Sequence, residues 1–160
     1  MKTRPEVPAI EIARASAADA AALHELQRRA YRSEAELYDD WTIPPLVEPL
    51  AATERALVEM HVLKATQGGR IVGAVRGRIE GDTCHVGRLM VHPDFQGRGI
   101  GSQLMRALEC ASPQVQRFEL FTGERSARNL QVYSRLGYRE LRRATLSARV
   151  TLVYLEKRRA

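Results

Sequence analysis

The sequence predicts a mixed α/β (α+β) fold in which a central, mostly antiparallel sheet of about seven strands is flanked by about four helices. Three observations support this. Several stretches alternate apolar and polar residues, others repeat apolar residues at helical spacing, and glycine or proline separates most of them. With 160 residues, 44% of them hydrophobic, the chain is long enough for one well-buried core. We therefore expect residues 1–160 to form a single domain.

The first third of the chain predicts one strand followed by two helices. The strand covers residues 10–14, and Ser16 with Asp19 three positions later resembles a capping box at the start of the first helix. Residues 31–48 break the helical pattern and are expected to form a long loop or short helical turns. The second helix is expected to have Pro49 in its first turn, where proline is well tolerated.

The rest of the chain predicts a meander of three strands and then alternating helices and strands. The meander strands cover residues 61–65, 71–79 and 84–91, with glycine-containing turns between them. After it we expect a helix starting near Ile100, a strand at 115–122, a helix capped by Ser126 and ended at Gly137, and a hairpin of residues 138–146 and 150–156.

Composition excludes several classes of protein. Lysine and arginine exceed aspartate and glutamate by 25 to 19, a formal charge of +6 that favours anionic ligands. The arginines are scattered and few aromatic residues lie between them, so we expect no nucleic-acid binding. Cys84 and Cys110 are too few for a disulfide framework and lack the spacing of a zinc site, so no metal is expected. No stretch is apolar enough for a signal peptide or a membrane span, and we expect a cytoplasmic protein.

A glycine-rich turn is the most informative local feature. Residues 96–101, Gln-Gly-Arg-Gly-Ile-Gly, lie between a predicted strand and an amphipathic helix. The start of a helix favours a bound anion, because its first N–H groups are unpaired and the helix dipole is positive there. The turn lacks the Gly-Lys-Ser/Thr ending of a P-loop, and Ser102 stands where the dinucleotide motif requires glycine.

Residues 87–109 resemble the cofactor-binding motif of the GNAT superfamily of acetyl-CoA-dependent N-acetyltransferases, whose pattern is Gln/Arg-x-x-Gly-x-Gly/Ala. The matching residues are Gln96, Gly99 and Gly101. Residues 126–140 are similar to a second motif of that superfamily, with Asn129, Tyr133 and the pair Gly137 and Tyr138 in register. The resemblance implies a GNAT-like fold, acetyl-CoA as co-substrate and an amine as acceptor.

The resemblance also implies which residues bind acetyl-CoA. The turn would hold the pyrophosphate, and strand backbone before it would hold the pantetheine arm and polarise the thioester carbonyl. The residues assigned to cofactor binding are Leu89, Met90, Val91, Gln96, Gly97, Arg98, Gly99, Ile100, Gly101, Ser102, Asn129 and Tyr133.

Two side chains are candidates for proton transfer. Tyr133, one helical turn after Asn129, is predicted to donate a proton to the leaving thiolate; the alternative is that it only packs in the core. His85 occupies the strand position where many GNAT relatives carry a glutamate that acts as base, and an imidazole titrates near neutral pH. The alternative is a structural or surface histidine.

The acceptor is expected to bind at residues 31–48. Tyr31, Tyr38 and Trp41 would pack against its carbon skeleton, while the acids of this segment would attract its positive charge. The alternative is a solvated acidic loop in which Trp41 anchors to the core. We expect the acceptor to be the primary amine of a small molecule. A protein or peptide acceptor and a non-catalytic acyl-CoA-binding module are the alternative functions. A homodimer is also left open.

Overall fold

The computed structural model describes residues 8–159, and they form one mixed seven-stranded sheet with helices on both faces. The strands are β1 (Glu11–Arg14), β2 (His61–Gln67), β3 (Arg70–Glu80), β4 (Thr83–Val91), β5 (Arg117–Gly123), β6 (Arg139–Thr145) and β7 (Thr151–Arg158). Their order in the sheet is β1-β2-β3-β4-β5-β7-β6, and every neighbouring pair is antiparallel except β4 and β5. The predicted fold class is confirmed.

Six helices connect or cover the strands within the described residues: α1 (Ala20–Ala30), α2 (Arg32–Tyr38), α3 (Pro44–Val47), α4 (Leu50–Glu59), α5 (Ile100–Ala111) and α6 (Ala127–Arg135). Segment 31–48, expected to be irregular or to contain short helical turns, consists mainly of α2 and α3. Pro49 precedes the first turn of α4 as its N-cap instead of lying in it. None of the helices in residues 8–159 is long and apolar enough to cross a bilayer.

Two hydrophobic cores lie on opposite faces of the sheet, because neighbouring residues of a strand point to opposite sides. The larger core joins the sheet to α5 and α6, and Leu104, Leu108 and Phe118 are fully buried in it. The smaller core lies under α1 and α4 and contains Leu23 and Met90. Together the two cores fix the helices that surround β4.

Two glycines of β3 let α5 lie close to the sheet. A Cβ atom on Gly73 would come within 3.1 Å of side-chain atoms of Ile100 and Leu104, and one on Gly77 within 2.6 Å of Cys84 Sγ. A larger residue at Gly73 would push the start of α5 outward, and one at Gly77 would meet Cys84 of β4 and then Leu108 near the end of α5. Gly73 therefore sets the height of the start of α5 above the sheet.

Strand β4 carries a bulge and then separates from β5. Its pairing with β3 skips from Met90 to Gly87, and Arg88 within the bulge has a left-handed backbone with φ 46°. Pairing with β5 is confined to residues 83–85. The C-terminal halves of β4 and β5 thus form a V-shaped cleft in the middle of the sheet.

Both predicted helix starts are present, but only one uses its serine as expected. The Ser16 N–H donates to the Asp19 carboxylate over 2.8 Å, as in a capping box. Ser126 lies at the N-cap of α6, but the prediction that its hydroxyl caps the helix is wrong. The hydroxyl donates to Glu34 over 2.6 Å and lies 2.8 Å from the Tyr38 hydroxyl. Gly137, with φ 95°, ends the helix region as predicted.

We expect Gly77→Ala to lower the free energy of unfolding by about 1–3 kcal/mol, because the added methyl group overpacks the contact with Cys84 of β4 and Leu108 of α5. Chemical denaturation measures the change. Gly87→Ala is the matched control, since a Cβ there meets no atom within 4 Å, and its effect should stay within about 0.5 kcal/mol. Equal losses in the two variants would contradict the packing role of Gly77.

Candidate functional site

The turn before α5 presents a run of free backbone donors. Among the described residues, no protein group accepts a hydrogen bond from the N–H groups of residues 96–102; the first paired N–H is that of Gln103, which donates to the Gly99 carbonyl over 3.0 Å. Gly97 and Gly99 have φ values of 76° and 79°, which an L-residue rarely adopts. The turn can therefore point several N–H groups at one anion at the positive end of a helix.

A buried histidine and an aromatic ring support this turn. The His92 ring accepts a hydrogen bond from the Asp94 N–H over 3.1 Å and lies 3.0 Å from the Arg70 guanidinium. Burial and the positive charge of Arg70 lower the pKa of His92, which keeps the ring neutral. The Arg98 guanidinium lies over the Phe95 ring, 5.0 Å from its centre. Arg98 thus stands at the edge of the turn with its charge exposed.

The end of β4 forms one wall of the cleft next to the turn. Leu89 and Val91 pack against the larger core, while Met90 is buried in the smaller one. A Cβ on Gly101 would lie 3.8 Å from Leu89 and 3.9 Å from Val91, so the turn and the strand are in direct contact. The main chain here has left β5, and its outer edge faces the cleft.

Tyr133 reaches the cleft from α6. Its side chain is 5% exposed, and its ring lies 6.0 Å from that of Tyr138. Burial, with the nearby Tyr31 and Glu34, raises the pKa of Tyr133 above its ordinary value. The phenol therefore keeps its proton at every pH near neutrality. Asn129, one helical turn earlier, is half-buried.

Helix α2 bridges the mouth of the cleft. At its start the Tyr31 hydroxyl lies 3.5 Å from the Leu89 carbonyl of β4. At its end the Tyr38 hydroxyl accepts from the Arg125 N–H over 2.9 Å, just after β5. Glu34 lies between them, with Ser126 donating to its carboxylate. Tyr31, Glu34 and Tyr133 therefore converge where the two strands part.

Comparison with known proteins agrees with this geometry. Residues 59–140, more than half of the chain, match the family model described as an acetyltransferase (GNAT) domain. The chain belongs to the GNAT acetyltransferase family. It is therefore an acetyl-CoA-dependent acyltransferase, and the recognition made from the two sequence motifs is confirmed.

Solved structures with the same fold are similar over nearly the whole chain. The PaiA N-acetyltransferase from Thermoplasma acidophilum in complex with coenzyme A is 16% identical with a TM-score of 0.78, covering 94% of this chain and 99% of that one. The ribosomal-protein-S18-alanine N-acetyltransferase from Escherichia coli is 17% identical with a TM-score of 0.76, at 92% coverage of both chains. YncA from Salmonella typhimurium, with acetyl-CoA, is 21% identical with a TM-score of 0.73, at 94% coverage of both. At these identities the likeness is one of fold.

The structure of this GNAT chain separates the predicted acceptor residues. Tyr31 faces the cleft, but Tyr38 is buried and its hydroxyl bonds Arg125 and Ser126, which fixes α2 to the end of β5. Trp41 is 51% exposed, so it is not anchored in the core. It lies beside a broad depression on the outer face of α1 with His24 and the α1 arginines.

His85 lies away from the mouth of the cleft. It lies on β4 where that strand still pairs with β5, opposite Glu119. Leu89 is four residues further along β4, a distance of about 13 Å in an extended strand. Its Nε2 atom is 3.3 Å from a Glu80 carboxylate oxygen. A role in proton removal would need water between His85 and the acceptor, and it stays a prediction.

Sequence reasoning missed a second group of charges beside the cleft, on the α1 side of the sheet: Glu48, Arg76 and Arg88. The basic side of the alternating strand β3 was the available signal for Arg76. Nothing local marked Arg88, because its direction depends on the bulge. Cys84 and Cys110 are both free, and within residues 8–159 no cluster of histidine, cysteine or acidic side chains is arranged to hold a metal ion.

We expect Gly99→Leu to raise the Kd for coenzyme A by about 10- to 100-fold, since the side chain would block N–H groups that bind the pyrophosphate. Isothermal titration calorimetry measures the affinity. Gly81→Leu is the matched control, because Gly81 has φ 62°, open space around it and a position in the β3–β4 turn. It carries the same backbone strain, so an equal loss of affinity there would remove the turn as the pyrophosphate site.

Proposed function

We propose that this enzyme transfers the acetyl group of acetyl-CoA to the primary amine of a small molecule by direct attack. The observation that carries the proposal is the convergence of Tyr133, Glu34 and the open edge of β4 beside a turn of free N–H groups. This is the combination that amide synthesis from a thioester requires: an anion site, an acid and a group that attracts an ammonium.

The co-substrate fits the residues that are present. Coenzyme A carries a pyrophosphate, and the turn at residues 96–102 offers unpaired N–H groups at a helix start, with the Arg98 charge at its edge. Leu89, Met90 and Val91 offer main chain along the cleft for the pantetheine arm. A main-chain N–H directed at the thioester oxygen would stabilise the negative charge that develops there.

In the reaction, the neutral amine nitrogen attacks the thioester carbonyl carbon, so that a C–N bond forms and the C–S bond breaks. Tyr133 is proposed to give its proton to the leaving thiolate. Its support is the position of the phenol in the cleft, where burial keeps it protonated near neutral pH. The proton lost by the amine is proposed to go to Glu34, with His85 acting through water as the alternative that the sequence predicted.

The bridge made by α2 favours a small acceptor over a protein. Tyr31 meets β4 at one end of the bridge, and Tyr38 is fixed to the end of β5 at the other. A cleft closed in this way admits a compact amine more readily than an extended chain. A peptide acceptor and a non-catalytic acyl-CoA-binding module remain the competing functions. The cytoplasmic location and the homodimer stay predictions.

An amine screen separates these functions. We expect thiol release from acetyl-CoA with at least one class of small amine, and little or none with peptides that have a free amino terminus. Turnover with peptides but with no small amine would contradict the proposal and favour a peptide acceptor. Coenzyme A binding without turnover on either panel would favour the binding module.

We expect Tyr133→Phe to lower kcat by about 10²–10⁴-fold with little change in coenzyme A affinity, because the acid is lost and the ring is kept. Tyr138→Phe is the control, since its hydroxyl is buried without a partner and its ring adjoins Tyr133. Since the pKa of Tyr133 is raised above its ordinary value of about 10, its deprotonation should cause no loss of rate between neutral pH and pH ~10. Undiminished kcat in Tyr133→Phe would eliminate it as the acid.

For the base, we expect Glu34→Gln to lower kcat/KM by about 10- to 100-fold for an amine that is protonated at the assay pH, and less for one whose pKa lies below it. The amine with the lower pKa is already neutral at the assay pH, so no proton has to be removed before it attacks. Glu36→Gln, an exposed change on the same helix, is the control. If His85→Ala shows this amine-dependent loss and Glu34→Gln does not, the base is His85.

A further inference from the structure

A second charged cluster lies beside the cleft on the α1 side of the sheet. Arg88, in the β4 bulge, places its Nη2 atom 3.1 Å and 3.2 Å from the two carboxylate oxygens of Glu48. Arg76 of β3 lies 3.6 Å from the same carboxylate. The Gln27 amide of α1 donates to it over 2.8 Å. Burial opposes ionisation of Glu48, but Arg88, Gln27 and Arg76 outweigh it and lower the pKa of Glu48.

The cluster has more positive charge than its protein partners neutralise. Both guanidiniums stay charged at neutral pH, so two positive charges face one carboxylate. Within residues 8–159, Glu48 is the only acid within 4 Å of either arginine. The cluster therefore carries one positive charge more than Glu48 neutralises, and it favours one further anion beside the two guanidiniums.

The cluster is next to the place where the acyl group is expected. Arg88 directly precedes Leu89, whose carbonyl lies 3.5 Å from the Tyr31 hydroxyl. The charges of Arg88, Glu34, Arg76 and Glu48 all act on that same hydroxyl, so the arginines and Glu34 lie near one phenol. The Arg76 and Arg88 side chains are 15% and 22% exposed, so part of each remains accessible.

We infer that the acceptor is an amino acid whose carboxylate binds Arg88 and Arg76 while its amine points toward Glu34 and the thioester. This inference rests on the proposed small-amine acetyltransferase and names the chemical class of its acceptor. A carboxylate matches the planar fork of a guanidinium and would supply the missing negative charge. In an α-amino acid the amine and carboxylate are close together, as are Leu89 and Arg88.

A purely structural ion pair would not explain why two arginines contact Glu48 or why Arg88 has a left-handed backbone. One arginine would suffice to hold Glu48 and the α3–α4 connection, whereas here two converge on it. Arg88 also has a left-handed backbone, which costs a non-glycine residue about 1–2 kcal/mol. That strain is understandable when the side chain must face the acceptor.

The first test compares amino acids with their amides on the wild-type enzyme. The two differ in the charge of the group that the arginines would bind and in the pKa of the amine, so kcat/KM is compared at equal concentrations of the neutral amine. We expect kcat/KM for the preferred amino acid to exceed that for its amide by about 10- to 100-fold. Amides that react as well as the acids, or better, would overturn the inference while leaving the proposed function intact. An amide also resembles the amino-terminal residue of a protein, whose carboxyl group is in a peptide bond.

The second test changes the charges of the cluster. Arg88→Gln should bring the acid-to-amide ratio of kcat/KM toward one. Glu48→Gln should raise that ratio, because it frees both guanidiniums while keeping an acceptor for Gln27. Arg78→Gln, on β3 and 46% exposed, is the matched control and should leave the ratio unchanged. A general loss of stability cannot raise the ratio, so a fall or no change in Glu48→Gln would overturn the inference.

A third measurement decides the inference even if no acceptor is turned over. With coenzyme A present, calorimetry on the wild-type enzyme compares a panel of N-acetyl-amino acids with their amides. Binding of at least one acid about tenfold tighter than its amide would support the carboxylate site. Equal or weaker binding of every acid would overturn it. Failure of turnover alone would count against the proposed function only.

Discussion

The function of this molecule depends on the separation of β4 from β5. Parallel pairing ends at His85, and the bulge at Arg88 then turns the end of β4. In an unbroken sheet the outer edge of Leu89 to Val91 would be consumed by hydrogen bonds to β5. The separation leaves this backbone free in the middle of the molecule. Its energetic cost is offset on both faces, where the two cores hold β4 through Leu89, Val91 and Met90.

Most of the remaining site is arranged around that opening. Gly73 and Gly77 let α5 settle close to the sheet, which places its free N–H groups next to the end of β4. Helix α2 spans the gap from Leu89 to Arg125, and the close fit of Tyr38 against Gly123 holds its far end, since a Cβ there would meet the phenol. Main-chain N–H groups thus line the proposed co-substrate site, and side chains from both walls line the proposed acceptor site.

The predictive value of the sequence differed between elements. The glycine turn and the second motif near Tyr133 were identifiable because their chemistry depends on local spacing, and the helix after the turn starts at Ile100 as predicted. Ser126 was assigned a local cap, but a distant carboxylate, Glu34, binds its hydroxyl. Tyr31, Tyr38 and Trp41 are close in sequence, yet the fold directs them to the cleft, the interior and the outer surface. Contacts between residues far apart in sequence are not visible in local patterns.

By itself, then, the sequence determined the family, the seven strands, the glycine turn before α5 and the place of Tyr133 in α6. Each depends on backbone conformation or on periodicity, and both are written in neighbouring residues. Only the tertiary structure decided which charges meet. Glu34 joins Tyr133, and Arg76 and Arg88 share Glu48, because an irregular bulge and short helices bring together four separate segments of chain. The proposed acceptor depends on those contacts, since electrostatic complementarity is set by distance in space and not by distance along the chain.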